Sequence, residues 1–226
     1  MDTLIKAEGL TKTYQLGDIA TDAVNNLSFE IKQGEFVSIQ GPSGCGKSTL
    51  LSMLGLMNPP SAGRLELFSQ DVTTLNQKQR AKIRNKHIGF IFQSFNLVGE
   101  LDVLDNVLLP AHYARAGDIQ AKREKATAML EELGLNGRLK HKPHQLSGGQ
   151  QQRVAFVRSM IMEPDIILAD EPTGNLDSKS ADILMSLIGD ANNQGAAVIL
   201  VTHELSFADS AKRKIKLKDG CILSDE

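Results

Sequence analysis

Gly41-Pro42-Ser43-Gly44-Cys45-Gly46-Lys47-Ser48-Thr49 decides how the rest of the chain is read. The spacing is that of a phosphate-binding loop, a glycine followed at a fixed distance by Gly-Lys-Ser. Its glycines let the backbone curl so that successive N–H groups face one anion. Lys47 brings a mobile positive charge for the β- and γ-phosphates of a nucleotide, and the Ser48 hydroxyl is a hard oxygen suited to Mg²⁺. From Thr49 onward, Leu50, Leu51, Met53 and Leu54 predict a helix whose N-terminal dipole adds to the pull on the phosphates. Upstream, Phe36-Val-Ser-Ile-Gln40 alternates apolar and polar residues as a strand does. A chance Gly-rich turn is the competing reading; strand, loop and helix in register argue against it.

The chain has 226 residues, 41% of them hydrophobic and 23% charged, enough for a real core in one large domain or two small ones. A net charge of −2 gives no support for a nucleic-acid binder held by bulk charge. Two cysteines, Cys45 and Cys221, are too few for a disulfide framework and suit a reducing cytoplasm. The start, Met1-Asp-Thr-Leu-Ile-Lys, does not read as a signal peptide. No stretch approaches the length of a membrane span, so a membrane role is expected to come through a partner.

Elsewhere the pattern alternates strands and helices. Leu4 to Leu10 and Val24 to Ile31 predict strands, with a polar turn at Gly17-Asp18. The first helix is expected to stop at the breaker cluster Asn58-Pro-Pro-Ser-Ala-Gly63, before a short strand over Arg64 to Phe68. Asn76 to Asn85 predicts a helix with Lys78, Arg80, Lys82 and Arg84 on a solvated face. His87 to Phe92 predicts a strand ending at Gln93. From 94 to 146 only helices are expected, over Leu101 to Leu109 and Ile119 to Leu133, parted by Pro110 and Gly117. Gln150 to Ile161 is helical, with Val154, Val157, Met160 and Ile161 on one stripe. Strands are expected at Ile166 to Ala169 and Ala196 to Val201. Between them lies a helix over Lys179 to Asn192 that pairs Ile183 with Leu187 and Leu184 with Ile188. Lys212 to Lys218 reads as an edge strand with Ile215 and Leu217 inward and lysines at the rim; a phosphate-backbone patch is the alternative. The whole predicts an α/β fold, a P-loop NTPase core with a mostly parallel sheet. One domain is expected. Residues 1–93 and 147–226 form its core, with an antiparallel β subdomain, and 94–146 form a helical subdomain.

A second chemical site follows the strand at Ile166. Its apolar run ends in Asp170 and Glu171, where an open α/β sheet binds its ligand. Asp170 is placed to hold Mg²⁺ and Glu171 to orient and deprotonate an attacking water. The bland alternative is an acidic pair capping a helix at Pro172-Thr173. Guanine recognition fails, because Asn85-Lys86-His87-Ile88 lacks the Asp of Asn-Lys-x-Asp. His141 and His144 flank Pro143 without a third ligand and read as loop residues.

A third site is Leu146-Ser147-Gly148-Gly149-Gln150, where Ser147 is a natural helix N-cap and two glycines bring bare N–H groups close to any ligand. This stretch is identical to the signature of ATP-binding-cassette (ABC) ATPases, and the resemblance covers essentially the whole chain. Gly89 to Leu97 and Ala169 to Asp177 are most similar to the MacB/LolD-type nucleotide-binding subunits.

The resemblance implies further roles. Gln93 matches the glutamine that contacts Mg²⁺ and the attacking water. His203 matches the histidine that reaches the γ-phosphate, and Tyr14 the aromatic that stacks on adenine. Asp177 ends the Asn175-Leu-Asp stretch that matches a loop crossing between subunits. It also implies ATP and Mg²⁺ as cofactors and a head-to-tail dimer, with the loop of one copy and Ser147 to Gln150 of the other enclosing each nucleotide. Membrane-spanning permease subunits are the implied partner, with the chain peripheral on the cytoplasmic face of the membrane and no nucleic acid bound. Phe95, Leu97 and Val98 either face a helix of that partner or pack inside the insertion. The implied work is transport or lipoprotein extraction. Mechanical signalling of the cell-division type is the alternative; for a soluble DNA-repair or ribosome-associated ATPase the expected long coiled-coil insertion or second cassette is missing from this sequence. Alkylation of Cys45 is expected to block ATP binding, with ATP protecting. Phe156 and Val157 are less usual after the signature and predict altered packing, not altered chemistry.

Overall fold

The computed structural model describes residues 2–17, 19–114 and 118–226. Asp18 of the expected turn and Gly117 of the expected helix break lie outside the described residues. Strands β1 (Thr3–Leu16) and β2 (Ile19–Lys32) pair antiparallel, and β3 (Phe36–Gln40) leads through the loop into α1 (Lys47–Leu54). Then follow β4 (Ala62–Leu67), β5 (Gln70–Asp71), α2 (Gln77–His87), β6 (Ile88–Phe92), α3 (Val103–Ala114) and α4 (Ile119–Glu132). The chain continues with α5 (Gly148–Met160), β7 (Ile166–Asp170), α6 (Ser178–Asn193), β8 (Ala197–Val201), α7 (Leu205–Ala208), β9 (Arg213–Lys218) and β10 (Cys221–Asp225).

Two sheets result. One is antiparallel, in the order β2-β1-β4-β5; the other runs β10-β9-β3-β8-β7-β6. In the second, β9, β3, β8, β7 and β6 are parallel and only β10 is reversed. This is the P-loop NTPase architecture. Both faces of the parallel sheet are covered, which is why β8 is an unbroken apolar run. Ile199 joins one core cluster with Leu50, Met53, Val24 and Leu65, and Val198 and Leu200 join the other with Val107, Leu130, Val154 and Leu184. The same cover explains Ser38. Ser38, the polar residue within the alternation of β3, is fully buried and accepts a hydrogen bond from Gln40 Nε2 at 3.2 Å.

The structure corrects several boundaries. β9 is not the edge: Ile215 and Leu217 do point inward, but β10 pairs on its outer side. The connection is a tight hairpin in which Asp219 (φ 48°) and Gly220 (φ 77°) are both left-handed, as a primed turn requires. The Gly220 N–H donates to Cys45 O at 3.2 Å and its carbonyl accepts from Asn25 N at 2.8 Å. α3 runs through Pro110, whose carbonyl accepts from Asn85 Nδ2 at 3.0 Å and ties that turn to α2. α1 ends at Leu54, capped by Gly55, ahead of the proline pair. On α2, Lys78 and Lys82 are exposed, whereas Arg80 and Arg84 fold down to donate to Leu75 O (2.8 Å) and Leu56 O (3.0 Å). Leu184 and Ile188 are buried as expected, but Ile183 is exposed.

Candidate active site

The loop from Gly41 to Thr49 leaves the carboxyl end of β3 at the middle of the parallel sheet. Gly46 caps α1 in a left-handed conformation (φ 102°), and a Cβ there would lie 2.1 Å from Ala23 O of β2. Only glycine fits, so the start of α1 packs directly on the antiparallel sheet. No side chain caps α1, so its first N–H groups are left for an anion. Lys47 is buried, and its ammonium donates to Gly41 O and Pro42 O at 2.8 Å each. The cation expected to be mobile is thus held against its own loop.

Asp170 ends β7 beside this loop, and Ser48 Oγ donates to its Oδ1 at 3.2 Å. Burial pushes the Asp170 carboxyl above the ordinary carboxylate range. The Ser48 hydrogen bond draws it back, the Glu171 charge adds to the rise, and Lys47 opposes it. Two hard oxygens converging beside a desolvated carboxylate fit a divalent cation, which would stabilise the ionised form.

Glu171 is the first residue past β7. Its N–H donates to Val201 O at 2.9 Å, which carries the ladder to β8 one step further, and its backbone is left-handed (φ 45°). That turn aims the side chain at the residues following β8. Glu171 Oε1 lies 2.6 Å from His203 Nε2. Thr173 Oγ1 donates to Glu204 Oε1 at 2.7 Å, and Glu204 N to Thr202 Oγ1 at 3.1 Å, so the two strand ends are laced together.

The signature forms the start of α5. Ser147 Oγ accepts from Gln150 N (3.3 Å) while Gln150 Oε1 accepts from Ser147 N (2.9 Å), a complete capping box. The box leaves out the N–H groups of Gly148 and Gly149, the Ser147 hydroxyl proton and the Gln150 Nε2 protons. The two glycines differ. At Gly148 a Cβ would make ordinary contacts, whereas at Gly149 it would meet Ser180 Oγ at 2.4 Å. Gly149 therefore answers to close packing on α6, a reason that a motif does not reveal. Different residues lie nearest the glycines of the two anion-type helix starts. Leu217 and Ala23 approach the glycines of the first, and Asn175, Phe95 and Ser180 those of the second. No hydrogen bond among the described residues joins 41–49 to 147–150.

The ABC transporter family profile matches residues 24–174. The chain belongs to the ABC transporter family. It is 47% identical over 99% of its length to the macrolide export ATP-binding/permease protein MacB of Bdellovibrio bacteriovorus, but covers only 34% of that protein. It thus spans about a third of the MacB proteins it matches. It is 46% identical over 97% of its length, and 98% of the relative's, to the uncharacterized ABC transporter ATP-binding protein MJ1508 of Methanocaldococcus jannaschii. Among solved structures, the dimeric cassette MJ0796 superposes with a TM-score of 0.93 at 42% identity, covering 99% of this chain and 98% of that one. A post-hydrolysis dimer of the same cassette bound to ADP and Pi gives a TM-score of 0.90 at 40% identity, covering 99% and 98%. The chain is an ABC-type ATPase cassette.

Within this cassette the remaining expected site residues are scattered. Gln93 follows Phe92, the register partner of Asp170, and is exposed. A Cβ on Gly174 would lie 2.7 Å from Gln93 Nε2, so the side chain rests on the segment after Glu171. Tyr14 is 46% exposed and pairs with Thr21, near Ala23 on the strand that touches Gly46; Lys12 Nζ lies 5.4 Å from its ring centroid. Asp177 is the N-cap of α6, with Oδ1 accepting from Ser180 N (3.0 Å) and Oδ2 from Ser180 Oγ (2.9 Å). These bonds hold its carboxyl below the usual range. Cys45 is buried, its Sγ 3.9 Å from Lys47 Nζ. Leu97 packs inward, while Val98 is exposed with its backbone fixed by Asn106 at 2.7 and 3.0 Å. Phe156 and Val157 are both buried in the helical layer.

Proposed function

We propose that this chain supplies energy to a membrane transporter as one half of an ATP-clamped, head-to-tail dimer. One observation carries the reading: the chain has two helix starts suited to phosphate, at Gly46 and Ser147, with no hydrogen bond among the described residues between them and different residues nearest their glycines. A second copy is what brings a loop and a signature to one nucleotide. The dimeric solved relatives support it.

In this reading the N–H groups of residues 41–49 and the Lys47 ammonium hold the β- and γ-phosphates of ATP. Tyr14 receives the adenine. The free N–H groups and hydroxyl proton at Ser147–Gly149 of the second copy contact the γ-phosphate. Ser48 and Asp170, with Gln93, would hold Mg²⁺, which supplies charge neutralisation across the phosphates. Water attacks the γ-phosphorus, its proton passes to Glu171, and the bond to the β-phosphate oxygen breaks to leave ADP and phosphate. His203 fixes the Glu171 carboxylate and faces the departing phosphate. Catalysis is positioning and charge placement. Loss of the γ-phosphate then removes the contact between copies.

No helix among the described residues is long and apolar enough to cross a membrane. We assign the mechanical work to a membrane-spanning permease at the cytoplasmic face, docked near the exposed Val98. The MacB relatives, named for macrolide export, favour transport over mechanical signalling. The test is Glu171→Gln, which should bind ATP, stop hydrolysis and accumulate a dimer. Ser147→Arg should abolish turnover and keep ATP bound. Normal turnover in the first, or loss of binding in the second, defeats the reading.

A further inference from the structure

The segment between β6 and α3 carries Gln93 and two consecutive non-glycine residues in the left-handed region, Phe95 (φ 60°) and Asn96 (φ 50°). Such strain persists only where the surroundings over-determine it. Here they do. Around Gln93, four carbonyls between Phe92 and Asn96 accept side-chain donors. Gln152 Nε2 reaches Phe92 O at 3.5 Å and Asn175 Nδ2 reaches Gln93 O at 3.0 Å. Arg158 forks onto Phe95 O (Nη2, 2.7 Å) and Asn96 O (Nη1, 2.5 Å). Two of these donors, Gln152 and Arg158, sit on α5, the helix that begins at the signature.

Neither residue is explained by stability alone. Arg158 is a largely desolvated cation with no carboxylate within ion-pair distance among the described residues; burial lowers its pKa, and only carbonyls receive its charge. Gln152 is 1% exposed, and its Oε1 has no donor among the described residues. A buried orphan acceptor is unfavourable, so the amide is retained for its N–H groups. Those also donate to Pro172 O at 2.7 Å, on the residue after Glu171. One rigid helix therefore joins the Ser147 end, the backbone on either side of Gln93 and the backbone beside Glu171.

We propose that Gln152 and Arg158 are positioning residues that fix Gln93 and Pro172 to α5, so that nucleotide contact at the Ser147 end sets the catalytic geometry of the same copy. The inference rests on the roles proposed above for Gln93 and Glu171. It makes each copy's chemistry answer to the nucleotide bound by its partner. A lysine at 158 keeps the charge and loses the planar fork.

The test uses the full chain with Arg158→Lys and, separately, Gln152→Met. Each should lower kcat by about 10- to 10²-fold, the scale of a small misplacement far from the chemistry, with the KM for ATP unchanged. The chain has no tryptophan, so Ser94→Trp, at an exposed position, reports on this segment alone. In a Glu171→Gln background, ATP with Mg²⁺ should shift its emission, and adding Arg158→Lys should remove the shift. Unchanged kcat in both variants, joint loss of kcat and ATP affinity, or an equal emission shift with and without Arg158 overturns the proposal. If Arg158→Lys does not fold, Gln152→Met decides by the same readings. Failure of the underlying reading shows separately, as normal turnover by Glu171→Gln alone.

Discussion

His203 Nε2 lies 2.6 Å from Glu171 Oε1, joining the ends of β8 and β7 across the carboxyl edge of the parallel sheet. A carboxylate accepts here, so the imidazole carries its proton on Nε2. One Glu171 oxygen is thus taken, and Oε2 is the one left for water.

Replacing His203 by Ala frees the glutamate to rotate. Turnover should fall by about 10²- to 10⁴-fold, the range for loss of a correctly held general base. ATP affinity, measured by equilibrium dialysis with a non-hydrolysable analogue, should stay within a small factor. Wild-type kcat in His203→Ala would remove the pair from the mechanism.

Asp170 predicts a pH dependence. Its folded carboxyl titrates above the unfolded value, chiefly through burial, so its ionised form opposes folding above the folded pKa. Asp170→Asn should raise the Tm of the nucleotide-free chain at neutral pH, and the gain should fade on acidification through the raised pKa. Magnesium competes with the proton, so the acid limb of ATPase activity should move to lower pH as Mg²⁺ is increased. A limb indifferent to Mg²⁺ would contradict the assignment.

The cysteines separate by exposure. Cys221 is exposed and Cys45 buried, so a thiol reagent should label Cys221 first without loss of ATPase activity. Slower labelling of Cys45 should abolish ATP binding, and ATP should prevent it. Mass spectrometry against residual activity reads both phases, and activity lost in step with Cys221 labelling would show the order to be wrong.

Gly149→Ala would drive a methyl group into Ser180 Oγ, 2.4 Å from the ideal Cβ. Overpacking of this kind costs about 1–3 kcal/mol, visible as a lower Tm. Adding Ser180→Gly should recover part of the loss. No recovery would mean that Gly149 serves the ligand and not the packing.

Much of this was legible in the residues, for reasons that differ from place to place. β3, the loop and α1 combine a two-residue period, a fixed glycine spacing and a helical stripe, and each is local. The N-cap expected at Ser147 is also a local device and is present, with Gln150 completing a capping box. β10 was missed because Cys221 to Asp225 is short and scarcely apolar, although Asp219-Gly220 is a hairpin signal that could have revealed it. Pro110 misled because a helix held by its neighbours tolerates what an isolated one does not. Arg158 and Gln152 were illegible, since their partners lie far along the chain, and Ser38 because its burial depends on the cover over both faces of the sheet.

The hydrogen bonds of Gly220 have a mechanical outcome. One residue, at the tip of the β9–β10 hairpin, grips both the loop, donating to Cys45 O, and the outer sheet, accepting from Asn25 N. The loop and the antiparallel sheet then travel as a single anvil.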